Sequence, residues 1–215
     1  MGNVLVACEE SQRVATAFRN KGHIAYSCDI LECSGGRPDW HIHDNVMNVI
    51  DGECVFRTQD GNVHKVDKWD LIIAHPPCTY LANSGVHLFY KEEGRWDKMY
   101  EAAVFFNEIL NTNCERICVE NPIQHCHARK LIRKYDQTIQ PWMFGHPYTK
   151  RTCLWLKNLP KLKETNNVLE QMNSMTKKEI NKLYLLPPSE DRARIRSKTF
   201  HGIAEAMAEQ WGVLI

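Results

Sequence analysis

Two apolar runs that each end in proline constrain the fold more than any other feature of the sequence. The first run, residues 69–74 (WDLIIA), is followed by His75, two prolines and Cys78. Proline has a fixed φ angle and no N–H group, so Pro76 and Pro77 cannot continue a central strand. We therefore expect a strand that ends in a stiff loop, and we expect that loop to hold Cys78 in a narrow set of orientations.

The second run, residues 117–122 (ICVENP), puts Glu120 and Asn121 at the end of another strand. Ligands of an open parallel sheet bind outside the carboxyl ends of its strands. Two such ends in one sheet bring Cys78 and Glu120 within reach of one flat heteroaromatic ring. The cysteine would attack a ring carbon while the carboxylic acid protonates a ring nitrogen, because protonation makes that carbon electrophilic. The pattern predicts nucleophilic catalysis by Cys78.

Strands and helices alternate along the rest of the chain, which predicts an α/β fold. Ser11 is positioned to cap a helix that runs to Gly22. The other predicted elements are strands at 4–8 and 23–29, a hairpin or excursion at 52–67, and helices at 96–110 and 197–211. We expect one domain over residues 1–215, built on a Rossmann-like, doubly wound, mostly parallel sheet.

The chain resembles the DNA cytosine-5 methyltransferase family, in particular the short versions common in phage and prophage genomes. Residues 70–85 resemble its catalytic loop, and Val119-Glu120-Asn121 resembles its glutamate–asparagine motif. The resemblance implies that Cys78, beside Pro77, adds to carbon 6 of cytosine. It also implies that Glu120 engages ring nitrogen 3 and that Asn121 helps to hold the loop. Carbon 5 then takes a methyl group from S-adenosylmethionine.

The resemblance implies a cofactor site of the class I S-adenosylmethionine-dependent methyltransferase fold. An acid at the end of the second strand commonly bonds a ribose hydroxyl in nucleotide folds, and Asp44 corresponds to the residue that meets the adenine amino group. The first turn lacks the family's glycines, so Glu9, Glu10 and Ser11 must shape it. The expected cofactor contacts are Ala7, Cys8, Glu9, Ser11, Asp29, Ile30, Asp44 and Pro76.

Substrate contacts follow from the same resemblance. Residues 144–156 resemble the family's arginine-bearing segment with its following strand, and residues 196–208 occupy the place of the closing motif. Only residues 157–194 lie between them, a short insertion where the family has a target-recognition domain. The expected substrate-binding residues are Ser84, Tyr148, Lys150 and Arg151.

Composition agrees with a compact intracellular enzyme. The 215 residues are 43% hydrophobic and 25% charged, enough for a full core, and the net charge of +1 gives little general attraction to phosphates. No apolar run approaches the roughly 20 residues that span a bilayer, so no membrane contact is expected. Nine irregularly spaced cysteines favour reduced thiols. We expect a cytoplasmic protein of a bacterial host, encoded by a phage or prophage, with no metal site.

Three functions remain open at this point. The first is methylation of cytosine in DNA, with relaxed specificity or with specificity supplied by a protein partner. The second is the same chemistry on a free cytosine nucleotide or on RNA, which the short insertion favours. The third is a catalytically silent relative that binds a nucleotide or a host protein, which the glycine-poor first turn favours. The pairing of Cys78 with Glu120 argues against the third function, because a pure binder needs no aimed thiol beside an acid.

Overall fold

The computed structural model describes all residues, 1–215, as an α/β fold. The strands are β1 (Asn3–Ala7), β2 (Ile24–Asp29), β3 (His41–His43), β4 (Cys54–Arg57), β5 (Val63–Val66), β6 (Leu71–Ala74), β7 (Ile117–Pro122), β8 (Gln137–Ile139) and β9 (Thr152–Lys157). The helices are α1 (Arg13–Asn20), α2 (Arg95–Asn111), α3 (Leu169–Asn173), α4 (Lys177–Ile180), α5 (Arg192–Ser197) and α6 (His201–Gly212). None of these helices combines the length and apolarity that a membrane crossing needs.

Seven of the strands form one sheet in the spatial order β3-β2-β1-β6-β7-β9-β8. β1 pairs in parallel with β2 on one side and with β6 on the other, and β6 pairs in parallel with β7. The chain order therefore reverses between β1 and β6, and the crevice outside their carboxyl ends is where such sheets bind ligands. β9 runs antiparallel to both β7 and β8. The predicted mostly parallel sheet is confirmed.

Both faces of the sheet are buried, because successive side chains of a strand point to opposite sides. Leu5 and Ile72 belong to the core on the side of α2 and of the β4–β5 hairpin. Val6 and Ile73, their chain neighbours, belong to the core on the side of α1 and α6. Helices on both faces make the sheet doubly wound, and the carboxyl-end edge is left as its polar, accessible part.

The hairpin and the long helix follow their sequence patterns. β4 and β5 pair in an antiparallel manner within the predicted excursion at 52–67. α2 buries one stripe of side chains at helical spacing, as the pattern at 96–110 predicts. That stripe includes Met99, Ala103, Phe106 and Leu110.

The start of α1 differs from the prediction. The Glu9 carboxylate accepts hydrogen bonds from the backbone N–H groups of Val14 and Ala15, at 2.8 and 3.2 Å. Gln12 has a left-handed backbone, with φ +57°, and this turn carries the chain so that Glu9 meets the free N–H groups of the first helical turn. Ser11 only donates a hydrogen bond to Glu9, at 3.4 Å. The prediction that Ser11 caps this helix is therefore wrong.

The predicted closing helix at 197–211 is divided into α5 and α6. Residues 198–200 are extended between them, because the Thr199 carbonyl accepts a hydrogen bond from Arg13 at 2.7 Å instead of continuing a helix. Gly202 opens α6 where a Cβ atom would lie 2.0 Å from the carbonyl oxygen of Phe144. Only glycine permits that approach. The break lets the linker between the two helices contact Arg13 and the start of α6 contact Phe144.

The segment at 157–194 forms loops, the short helices α3 and α4, and the beginning of α5. It packs on the loop that precedes β9, where the Thr149 hydroxyl donates to the side chain of Asn181 at 2.8 Å. Met172 is its buried anchor among these helices. Apart from Lys157, the last residue of β9, the segment contributes nothing to the sheet.

Candidate active site

The strand register brings the two predicted motifs together. Ala74 of β6 pairs with Val119 of β7, so the next residues, His75 after β6 and Glu120 within β7, lie side by side at the same level of the sheet. The His75 Nδ1 atom lies 2.7 Å from the Glu120 Oε2 atom, and the two side chains are only 12% and 11% exposed. His75 directly follows a strand and precedes two prolines, a position that marks it as a residue of this edge. Its pairing with Glu120 depends on the register.

Asn121 connects the loop of Cys78 to the carboxyl end of β7. Its Nδ2 group donates a buried hydrogen bond of 2.8 Å to the carbonyl of Pro76. The Cys78 carbonyl accepts hydrogen bonds from the N–H groups of Leu81 and Ala82, which closes a tight turn directly after the cysteine. The two motifs therefore form one hydrogen-bonded unit, with Pro77 exposed on its surface and Cys78 half-buried inside it.

Arg95 supports the same loop from the start of α2. It is 5% exposed, and its Nη2 group donates to the carbonyl of Thr79 at 3.1 Å. Its guanidinium also lies 5.0 Å above the ring of Tyr80 and pairs with Glu92. A Cβ atom at Gly85 would come within 3.0 Å of Arg95. The sequence does not indicate this role for Arg95, because Arg95 and the loop that it supports are distant along the chain.

Lys150 reaches the edge because β9 is antiparallel. The residues before β9 lie beside the carboxyl end of β7, and Lys150 comes two residues before this strand. Its backbone N–H donates to the Gln140 side chain at 3.1 Å, and its Nζ atom lies 3.5 Å from the carbonyl of Lys198. Burial lowers the pKa of Lys150, while the charges of Glu120 and Cys78 oppose that shift. The expected substrate residue Lys150 thus lies in the electrostatic field of the proposed catalytic pair.

The pKa shifts of the pair follow from its burial and its neighbours. Burial raises the pKa of the Cys78 thiol, and the charge of Glu120 raises it further, against Lys150 and Arg196. Burial also acts to raise the pKa of Glu120, but the hydrogen bond and charge of His75 outweigh it and leave the pKa lowered. The carboxylate is therefore ionised at neutral pH, and the thiol needs a substrate or a base to lose its proton.

The turn after β1 is built without glycine. Cys8 has a left-handed backbone, with φ +58°, and burial with the charge of Asp29 raises its pKa to about 12. The Ala7 carbonyl accepts the N–H of His75 at 2.9 Å. Glu9 accepts hydrogen bonds from the first turn of α1, and Ser11 donates to Glu9. Glu10 is 8% exposed, and neither of its carboxylate oxygens has a hydrogen-bond partner.

Asp29 is the last residue of β2, and Asp44 directly follows β3, the neighbouring strand on the other side of the crevice. Asp29 accepts the N–H of Leu31 at 2.9 Å, and burial raises its pKa. The next residue, Ile30, is 72% exposed. Asp44 accepts hydrogen bonds from the N–H of Asn45 and the side chain of Asn48, at 2.7 and 2.9 Å.

A cavity of about 360 Å³ opens beside Asp44. One wall follows β3, and the other is formed by residues of the β4–β5 hairpin and its turn, including Val55 and Arg57. A cavity of this volume is within the range of small-molecule sites. The hairpin therefore forms one wall of an open pocket that the sequence pattern at 52–67 did not indicate.

The remaining substrate residues lie farther from the pair. Ser84 is exposed on the short helical turn Asn83–Leu88 and forms no side-chain hydrogen bond. The Tyr148 ring stacks on Phe200, with centroids 5.8 Å apart. Arg151 is exposed, and its charge acts on the pKa of Cys153. Of the expected substrate-binding residues, Lys150 is the one whose charge the structure couples to both Cys78 and Glu120.

Comparison with known proteins leaves the function open. No protein-family model matches the chain, and no curated protein matches it. Among solved structures, it is similar to one from E. coli, provisionally described as a DNA modification methyltransferase encoded within a prophage. The identity is 14%, the match covers 82% of this chain and 56% of that chain, and the TM-score is 0.44. The chain thus spans about half the length of that structure, and a similarity of this degree carries no argument about activity.

Proposed function

We propose that this protein transfers a methyl group from S-adenosylmethionine to carbon 5 of cytosine in DNA, through a covalent adduct with Cys78. The observation that carries the proposal is the hydrogen-bonded unit of the two motifs. Asn121 ties the Cys78 loop to the strand end that bears Glu120, and the cation of Lys150 lies beside both residues. A thiol and a carboxyl group held in this way suit addition to a flat ring that must be protonated as it is attacked.

The sheet order supports the same proposal. When the strands of the large sheet are numbered along the chain, its first five spatial positions are 3-2-1-4-5. This is the order of doubly wound dinucleotide-binding sheets, in which the ligand lies at the reversal of strand order. The proposed fold is therefore the Rossmann-like fold of S-adenosylmethionine-dependent methyltransferases, with Cys78 following the strand at that reversal.

The residues on the crevice suit a cationic nucleoside cofactor. The unpartnered, buried carboxylate of Glu10 provides a place for positive charge. Asp29 and the exposed Ile30 offer an acceptor and an apolar surface for a ribose and a flat base, and Asp44 faces the open pocket of which the hairpin forms one wall. Ala7, Cys8 and Pro76 would contribute backbone at the bottom of the crevice. When bound, S-adenosylmethionine supplies an electrophilic methyl group.

The proposed reaction balances with the residues present. Cys78 Sγ bonds to carbon 6 and its proton leaves to solvent, while a proton reaches ring nitrogen 3 by way of Glu120. The π electrons of the 5,6 bond then lie between carbons 4 and 5, so carbon 5 is nucleophilic and accepts the methyl group. The methyl donor leaves as S-adenosylhomocysteine, and loss of the carbon 5 proton and of the proton on ring nitrogen 3, with breakage of the sulfur–carbon bond, restores the ring. Lys150 would compensate negative charge beside the ring.

A second candidate substrate is a free cytosine nucleotide or RNA. The segment at 157–194 has only short helices and adds no strand of its own to the sheet, so it offers little surface to a duplex. Extracting a base from a duplex costs a few kcal/mol, which a single strand or a nucleotide avoids. α5 and the residue after it carry the basic side chains of Arg192, Arg194, Arg196 and Lys198, which would attract the phosphates of a single strand, although Arg194 already pairs with Asp191. We therefore expect single-stranded cytosine to compete well with duplex DNA.

The direct test is trapping with 5-fluorocytosine. The fluorine at carbon 5 blocks the elimination that frees the cysteine, so a methylated adduct should accumulate on the protein. Intact-mass spectrometry would follow single-stranded, duplex, RNA and mononucleotide substrates in the presence of S-adenosylmethionine. An adduct with the oligodeoxynucleotides supports the proposal, whereas an adduct with RNA or the nucleotide alone favours the second candidate. Absence of any adduct would leave the silent relative as the better hypothesis.

Cofactor binding gives a separate prediction. Replacing Asp29 or Asp44 with alanine should weaken S-adenosylmethionine binding by about 1–3 kcal/mol, or about 5- to 150-fold in Kd, the scale of a charge-assisted hydrogen bond. Asp39→Ala is the matched control, because Asp39 pairs with Arg37 on the exposed surface. Isothermal titration calorimetry measures all three variants. Wild-type affinity in both Asp29→Ala and Asp44→Ala would refute the assignment.

A further inference from the structure

His75 is the ionisable residue of the active site to which the family resemblance assigns no role. Its Nδ1 atom lies 2.7 Å from Glu120, while its Nε2 atom is buried without a hydrogen-bond partner. Its backbone N–H donates to the Ala7 carbonyl at 2.9 Å, and Pro76 follows it. The backbone of His75 is therefore constrained on both sides, and its imidazole lies against the Glu120 carboxylate.

Three charged groups face the imidazole from different elements. Burial acts to lower the pKa of His75, but the hydrogen bond and charge of Glu120 on β7 and the charge of Glu9 after β1 outweigh it. Lys150, before β9, opposes them. The net result is a raised pKa for His75 beside a lowered pKa for Glu120. The 2.7 Å contact and these two shifts favour the histidinium–carboxylate form of the pair.

An ionised Glu120 has no proton to give, yet the proposed chemistry needs one at the ring nitrogen. Solvent reaches the carboxylate poorly, because its side chain is 11% exposed. A carboxylate only accepts hydrogen bonds, so the proton on the line between the two groups belongs to His75 Nδ1. The nearest stored proton is thus on the imidazole and already points at Glu120.

We propose that His75 is a positioning residue that orients Glu120 and supplies the proton that Glu120 passes to the substrate ring. This inference rests on the proposed function. As Cys78 bonds to the ring, the Nδ1 proton moves to the Glu120 carboxylate, and the same proton then passes from Glu120 to ring nitrogen 3. The imidazole is left neutral, and the proton returns by the same route when the ring nitrogen is deprotonated during product formation.

The first test measures protonation in the free protein and needs no substrate. Nitrogen-15 NMR of the imidazole groups would be recorded from pH 5 to 10 for the wild type, Glu120→Gln and His75→Asn, the last to assign the His75 signals. We expect His75 to remain doubly protonated above pH 6.5, the ordinary value for an imidazole, and its titration midpoint to fall in Glu120→Gln because the neighbouring charge is removed. A wild-type His75 that titrates at or below the ordinary imidazole value of 6.5 overturns the inference, whatever the protein catalyses.

The second test is the pH dependence of methyl transfer. His75→Asn keeps an N–H donor in place of Nδ1–H but cannot titrate, whereas His75→Ala removes the donor. The wild-type rate should fall on the alkaline side as His75 deprotonates. His75→Asn should lose that fall and reduce transfer about 10²-fold or more, the scale of general acid catalysis, while keeping more activity than His75→Ala.

The outcomes separate the inference from the proposed function. An active His75→Asn with the wild-type alkaline fall overturns the relay and leaves the methyltransferase assignment intact. A wild type that keeps the paired histidinium but transfers no methyl group overturns the proposed function, and the relay with it. If His75→Ala does not fold, Glu120→Gln in the NMR measurement and His75→Asn in the rate measurement still decide the result.

Discussion

Replacing Cys78 with alanine is expected to abolish the covalent adduct and to reduce methyl transfer by at least about 10³-fold, while S-adenosylmethionine binds as in the wild type. The reason is that the reaction needs a sulfur nucleophile at the sheet edge. Cys8 is nearby, but burial and Asp29 raise its pKa to about 12. Burial also holds the pKa of the Cys28 and Cys118 thiols well above the ordinary value.

Cys126→Ala is the matched control, because Cys126 is an exposed free cysteine outside the Cys78 loop. It should trap 5-fluorocytosine and transfer methyl groups as the wild type does. Intact-mass spectrometry and transfer of a labelled methyl group measure both variants, and calorimetry checks cofactor binding. Full activity in Cys78→Ala would show that the nucleophile is misassigned, and a lost cofactor affinity would point to a structural defect.

Removing the carboxylate of Glu120 should lower the free energy of unfolding by about 3–5 kcal/mol near pH 6. The reason is that His75 stays buried while the carboxylate that pairs with its positive charge is lost. The pKa of His75 is raised in the folded protein, so its contribution is complete below the ordinary value of 6.5 and disappears as the pH rises through the raised pKa. The pKa of Glu120 is lowered, so its contribution is complete above 4.5 and disappears as the pH falls through the lowered pKa.

The difference between the wild type and Glu120→Ala should therefore be largest between about pH 4.5 and 6.5 and smaller on both sides. Urea denaturation at a series of pH values measures it. Glu115→Ala provides the control, since Glu115 pairs with Arg116 at the surface and should change stability by less than about 1 kcal/mol. A constant difference at every pH would contradict an ionised pair between Glu120 and His75.

Local patterns predicted the parts of the fold that depend on neighbours in sequence. The apolar runs before Pro76 and Pro122 became β6 and β7, the polar stretch at 52–67 became a hairpin, and the stripe at 96–110 became α2. These features depend on side-chain period and on proline chemistry, which any sequence displays directly.

Helix ends were less predictable, because distant groups compete for their backbone. Glu9, not Ser11, satisfies the first N–H groups of α1, since Gln12 adopts a left-handed backbone. The closing helix is broken where Arg13, from the other end of the chain, bonds the Thr199 carbonyl. Arg13 is far from Thr199 in sequence, and Glu9 reaches the first turn of α1 only because of the left-handed backbone at Gln12.

The sequence by itself determined which chemical groups stand at strand ends: the thiol of Cys78, the carboxylate of Glu120 and the amide of Asn121. Only the tertiary structure decided how these groups meet. Strand register paired His75 with Glu120, and the antiparallel direction of β9 delivered Lys150 to the same edge. Register and strand direction are set by packing across the whole sheet, and a carboxylate changes its protonation according to the charges that packing brings near it.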